Sequence, residues 1–206
     1  MKHMEVGREP NSNVLPISSS VSSNYRLTAD ASGVGAIFDQ QISVVEYRSD
    51  LFAEAELEGF ALSQHVGRKI IGVVNATPLI DGEITCLFEG YPRVCAALAH
   101  QIELLSDITE CHEVGIRLVV ASSPMCPAFH VDRVSLRFVW NVYGAETEFL
   151  STAESCDAAS AKVVQANPCS LLILKGTGWG DGDEYAAKHR SPSGCGNRVV
   201  ITLDPL

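Results

Sequence analysis

The stretch from Gly115 to the C-terminus constrains the fold most. "GIRLVVASS", "FHVDRVSLRFVWNVYG", "TEFLS", "CSLLILKGTG", "EYAAKHRS" and "NRVVITLDP" follow one another as short apolar runs split by Gly, Pro, Ser and Asp clusters. β-Branched and aromatic residues favour strands, and such clusters mark the turns between them. Successive short strands at this spacing predict a sandwich or barrel of jelly-roll or cupin type.

The N-terminal half reads differently. In "YPRVCAALAHQIELLSDITECH", Val94, Leu98, Ile102, Leu105 and Ile108 recur at steps of four and three, the period of an amphipathic helix, with Pro92 near its start. "SDLFAEAELEGFALSQ" predicts another helix with Ser49 or Asp50 as its N-cap. Residues 34–47 hold β-branched runs that predict one or two strands; "KIIGVV" is strand-like and "NATPLIDGE" loop-like. The expected fold class is α+β: a cupin-like double-stranded β-helix (jelly roll) in the C-terminal half, with N-terminal helices packed on it. Residues 1–24 are rich in Ser, Asn and Pro, poor in bulky apolar groups, and expected to be disordered. Residues 25–206 are expected to form one domain.

The formal net charge of −10 argues against nucleic-acid binding, which needs a basic footprint. "MKHMEVGREP" is followed by no apolar core, so no secretory signal is expected. No apolar run approaches the ~18 residues of a membrane helix. The cysteines Cys86, Cys95, Cys111, Cys126, Cys156, Cys169 and Cys195 form no CxxC pair, and reduced thiols of a cytoplasmic protein fit them best.

One run carries two ionisable groups where burial is expected. If residues 129–144 form a strand, the even positions are His130, Asp132, Val134, Leu136, Phe138, Trp140 and Val142, and the odd face is mostly polar. His130 and Asp132 then point toward the core. The run is longer than a usual strand, so a bend between Asp132 and Leu136 is expected. An inward carboxylate must be neutralised, hydrogen-bonded or metal-bound. Two residues on one strand face are roughly 6.6 Å apart, from a rise of ~3.3 Å per residue, and both can reach one ion. A metal pair and a plain His–Asp hydrogen bond both fit.

Downstream, His189 closes one run and Arg198 opens the next. Two histidines and one carboxylate are the facial triad of non-haem Fe(II) oxygenases, and an arginine fork suits the distal carboxylate of 2-oxoglutarate. The order His130, Asp132, His189, Arg198 resembles the Fe(II)/2-oxoglutarate-dependent dioxygenase superfamily. That resemblance implies Fe(II) on His130, Asp132 and His189, with 2-oxoglutarate on Arg198 and oxidation of an unidentified small-molecule or protein substrate. Many members place a serine two residues after the arginine, touching the co-substrate; here that residue is Val200.

The blocks "CPAFHVDRVSLRFVWNVYG", "TEFL", "LLILKG" and "HRSP…RVVITLD" also resemble the bacterial family known as domain of unknown function 1826. That resemblance implies cytosolic bacterial proteins of this size, with relatives encoded near metal-handling GTPases of the zinc-chaperone kind. It fits a metal-linked role without choosing the metal.

Cys126 stands four residues before His130. As a fourth ligand it would make a closed zinc site, so the alternative is a zinc-binding cupin-like protein in metal homeostasis, without redox catalysis. "GTGWGDGDEY", with Asp181, Asp183 and Glu184, reads as a solvated turn or as a lid that closes Trp179 over substrate. His100 is expected to be solvated, Lys175 to be a surface lysine, and Tyr143 and Arg137 to lie on a polar face, within reach of a substrate only if the strand twists or bends. Cupin-like sheets often pair, which leaves a homodimer open.

Overall fold

The computed structural model describes residues 23–51, 54–76, 88, 90–151, 161–180, 183–194 and 196–206. Cys86, Cys156, Cys195, Asp181, nearly all of the 1–24 segment and most of "NATPLIDGE" lie outside the described residues.

The strands are β1 (Tyr25–Thr28), β2 (Val44–Tyr47), β3 (Lys69–Asn75), β4 (Glu113–Ala121), β5 (Leu136–Tyr143), β6 (Glu148–Ser151), β7 (Lys162–Gln165), β8 (Leu171–Lys175), β9 (His189–Arg190) and β10 (Arg198–Pro205). The larger sheet has the order β1-β2-β8-β5-β10-β4-β3 and the smaller the order β7-β6-β9. Only the β1–β2 pair is parallel among these. An isolated bridge between His130 and His189 adds a rudimentary fourth member beside β9. From β4 onward the chain crosses between sheets: β4 in the larger, the His130 bridge in the smaller, β5 in the larger, β6 and β7 in the smaller, then β8, β9 and β10 alternating. This is the double-stranded β-helix, or jelly roll.

The N-terminal half does more than cover this barrel. It supplies β1 and β2 at one edge of the larger sheet and β3 at the other. Of residues 34–47, only Val44–Tyr47 is strand; Ala31–Phe38 forms a 3₁₀-helix, capped by the Asp30 side chain accepting from the Ser32 N–H. Helix α1 (Glu54–Ser63) begins later than a Ser49 or Asp50 cap requires, and the Ser49 hydroxyl instead accepts from the Leu51 N–H. Helix α2 (Pro92–Thr109) matches its apolar stripe, burying Val94, Leu98, Ile102 and Leu105. Its first turn is completed by Glu56 of α1, whose Oε1 accepts from the backbone N–H groups of Arg93 and Val94 at 2.6 and 3.2 Å. A carboxylate there also meets the positive end of the helix dipole. Among the described residues no helix is long and apolar enough to cross a membrane.

Alternation along the central strands divides the core in two. Leu136, Phe138 and Trp140 of β5, Leu171 and Ile173 of β8, and Val199, Ile201 and Leu203 of β10 pack against the helices. Their neighbours Val139, Leu172, Leu174 and Val200 face the other way and join Phe149 and Ala187 between the sheets. Each large side chain so buried contributes roughly 1.5–3 kcal/mol. Central strands buried on both faces explain why the runs are nearly continuously apolar. They also mean that polar residues facing the barrel interior are buried, not solvated.

Candidate metal and co-substrate site

The run that carries His130 and Asp132 is not one strand. β5 starts at Leu136, and residues 131–135 form an irregular loop that breaks the alternation. The bend expected between Asp132 and Leu136 is this loop, and across it the parity relating His130 and Asp132 to Leu136 and Phe138 is lost. The side chains at Leu136, Phe138 and Trp140 face the helices, whereas Asp132 meets Arg137 of the opposite parity.

The loop is held by the segment after β8. Gly176, Thr177 and Gly178 donate backbone hydrogen bonds to the carbonyls of Ser135, Asp132 and Val134 at 2.9, 2.9 and 3.0 Å. A Cβ on Gly176 would collide with the Val134 carbonyl oxygen. Gly176→Ala is expected to push the loop outward, costing about 1–3 kcal/mol as overpacking does. Metal affinity is expected to fall with it, though Gly176 touches no ligand atom; chemical denaturation and metal titration of the variant check both.

His130, Asp132 and His189 converge, each offering one ligand atom, all within 4.8 Å of one another. The two backbones are tied by reciprocal hydrogen bonds of 3.0 Å between the His130 and His189 N–H and carbonyl groups. The ring centroids lie 4.4 Å apart. Each Nδ1 faces a carbonyl oxygen, Ala128 for His130 at 3.2 Å and Ala187 for His189 at 3.1 Å. A carbonyl cannot donate, so each Nδ1 carries the proton and Nε2 is left for the site. His189 Nε2 stands 3.2 Å from Asp132 Oδ2, and His130 Nε2 3.9 Å from Asp132 Oδ1. Two neutral imidazole lone pairs aimed at a carboxylate repel it unless a cation or extra protons lie between them. The donor set, with its rings fixed by outer hydrogen bonds, is what a divalent metal requires.

Arg137, expected on the polar face unless the strand bends, is brought by that bend onto Asp132. It donates from NH1 to Asp132 Oδ1 at 2.7 Å, and from Nε and NH2 to the two carboxylate oxygens of Asp204 at 2.6 and 2.7 Å. With protons in those places, burial pushes the Asp132 pKa up, but a hydrogen bond from His189 and the positive charges of His189, Arg137 and His130 outweigh it and hold it below its ordinary value; a metal cation there would act in the same sense. The carboxylate thus stays ionised and oriented. Arg137→Met is expected to weaken metal binding by roughly 10–100-fold, as loss of an outer-shell partner does. Competition with a metallochromic chelator measures it.

Arg198 lies deep in the barrel at 3% exposure. Its NH1 donates to Ser191 Oγ at 3.2 Å, and its NH2 to Thr147 Oγ1 at 2.5 Å and to Asn141 Oδ1. Ser191 is two residues beyond His189, so one short strand links the guanidinium to the His–Asp–His group. Val200 offers no hydroxyl, but Ser191 and Thr147 bring two from neighbouring segments.

Other candidates fall elsewhere. Cys126 is exposed and is not a member of the His–Asp–His group; its backbone pairs with Ser191. Trp179 packs against the helix-side core beside Phe38, not as a flap over the site. Lys175 is buried, not on the surface, donating to the Asp39 carbonyl at 2.6 Å. His100 is half-buried with its Nε2 3.4 Å from the Tyr47 hydroxyl, and Tyr143 is half-buried against the helix-side core. Reading the sequence missed Arg137, Asn141, Thr147 and Ser191 as site residues. For Arg137 and Asn141 the available signal was a polar side chain embedded in the otherwise apolar run of β5; Thr147 and Ser191 lie outside the strands and carried none.

The fold is shared with solved structures. The dioxygenase for auxin oxidation of rice is 15% identical over 88% of this chain and 82% of its own, with a TM-score of 0.55. IDO from Bacillus thuringiensis is 9% identical over 83% and 96%, with a TM-score of 0.50. A C-terminally truncated protein of Neurospora crassa, solved in apo form, is 11% identical over 85% and 87%, with a TM-score of 0.50. At these identities the likeness is one of fold. No curated protein sequence matches the chain. The family model described as protein of unknown function (DUF1826) matches residues 40–204, from before β2 to the end of the barrel, and the chain belongs to that family.

Proposed function

We propose that this protein is a non-haem Fe(II)- and 2-oxoglutarate-dependent oxygenase. The observation that carries the reading is the convergence of His130, Asp132 and His189 with both Nδ1 protons committed to backbone carbonyls. Three ligands on one side leave coordination positions for reactants, the arrangement of the facial triad. When bound, the ferrous ion, the keto-acid and O₂ would supply oxidative decarboxylation to succinate coupled to oxidation of a substrate.

The chain's own residues would hold and shield these groups. His130 and His189 present Nε2, Asp132 presents a carboxylate kept ionised by Arg137, and Arg198 takes the distal carboxylate of 2-oxoglutarate. Ser191 and Thr147 fix the guanidinium's plane, and the apolar interior of Val139, Leu172, Phe149 and Val200 excludes water around it. The rice dioxygenase supports the reading through its shared fold and its own activity.

Anaerobic reconstitution with Fe(II), followed by 2-oxoglutarate and air, is expected to yield succinate and, before air, a visible charge-transfer band. Absence of both succinate and the band would sink the reading. A His₂Asp set also suits zinc. Purified protein that retains zinc and ignores 2-oxoglutarate would point instead to metal handling without redox chemistry.

A further inference from the structure

Glu146 shares the barrel interior with Arg198, at 7% exposure, and the reading above gives it no task. Its carboxyl accepts hydrogen bonds from the Asn141 side chain and the Cys169 backbone. The same Asn141 accepts from Arg198 through Oδ1, so one amide joins the carboxyl to the guanidinium. Glu146 Oε2 is buried and meets no hydrogen-bond partner among the described residues. The charged groups facing it are Arg198 on β10, which favours ionisation, and Glu46 on β2, which opposes it. Burial outweighs both hydrogen bonds and the arginine and pushes the Glu146 pKa up to about 8.

A protonated carboxyl carries one O–H to donate, and Oε2 has nothing among the described residues to receive it. An ionised carboxyl in the same place neutralises the arginine and repels a second carboxylate. We propose that Glu146 is the proton-gated half of the co-substrate subsite: protonated, it donates to the distal carboxylate of a 2-oxo dicarboxylic acid held by Arg198; ionised, it claims Arg198 and excludes that acid. The inference rests on the reading that this barrel takes 2-oxoglutarate.

Calorimetric titration of the Mn(II)-loaded protein under anaerobic conditions between pH 7 and pH 9 tests it. If only the protonated protein binds, the apparent Kd scales inversely with that fraction, so 2-oxoglutarate binding weakens about tenfold per unit above pH ~8. 2-Oxobutyrate, which lacks the distal carboxylate, reports metal and histidine titration alone and is expected to lack this fall. Glu146→Gln is expected to bind 2-oxoglutarate about tenfold tighter than the wild type at pH ~9, being neutral throughout. Parallel pH profiles for the two acids, or for wild type and variant, overturn the role of Glu146 and leave the oxygenase reading standing. Metal bound but no 2-oxoglutarate binding at any pH overturns the oxygenase reading and this inference with it. If the variant does not fold, the two acids on the wild-type protein still decide.

Discussion

Asp132→Ala is expected to reduce bound metal from one ion per chain to background. Asp132 is the centre of the group, facing His189 at 3.2 Å, His130 at 3.9 Å and Arg137 at 2.7 Å. Alanine removes the only anionic ligand of the three and leaves two neutral imidazoles, so the loss should exceed the roughly 10–100-fold seen when an outer-shell partner is removed. Folding should survive, because Arg137 keeps both bonds to Asp204 and the loop backbone remains tied to Thr177. Circular dichroism beside elemental analysis separates the two effects. A folded Asp132→Ala protein that still carries one metal ion would remove His130, Asp132 and His189 as its binding site.

Arg198→Ala is expected to act on both stability and binding. The guanidinium is buried and spent on Ser191, Thr147 and Asn141, with the buried carboxyl of Glu146 facing it. Truncation leaves those acceptors facing a cavity that neither water nor a side chain fills well. Leaving buried hydrogen-bond acceptors without their donor costs on the order of 1–3 kcal/mol each. A urea titration should show that loss as a lower midpoint with an unchanged slope. Metal content should stay at the wild-type level, while 2-oxoglutarate binding to the metal-loaded protein is abolished. Arg198→Lys keeps the charge without the planar fork and is expected to fall between the two. An alanine variant that binds 2-oxoglutarate normally would separate Arg198 from the co-substrate.

Much of the architecture was open to reading because it depends on short-range regularities. Alternation and turn clusters reveal β4, β5, β6, β8 and β10, and a period of three to four reveals α2. The strands β1 and β7, four residues each and mostly exposed, carry no such pattern. Their strand state comes from neighbours: β1 lies along β2, and β7 along β6. The 3₁₀-helix at Ala31–Phe38 has β-branched content but is set by the Asp30 cap.

His130, Asp132, His189 and Arg198 stand in the chain in a recognisable order, and that much belongs to the sequence. Their geometry does not. Period-two parity is a property of continuous strand, and the irregular loop at 131–135 resets it, so Asp132 meets Arg137 instead of sharing the face of Phe138. The setting of Arg198 comes from β5, the residue after β9 and the turn before β6, segments 51 and 57 positions away in two of three bonds. No local pattern links Asn141, Thr147, Ser191 and Glu146 to it. Burial of Lys175 likewise follows from the Asp39 segment and Trp179 packed over it, both remote in the chain. The sequence by itself determined the main strands β4, β5, β6, β8 and β10, the amphipathic helix, and the order in which the ionisable groups arrive. Only the tertiary structure decided which of them face one another, because that depends on strands distant in the chain crossing between two sheets and closing on a common interior.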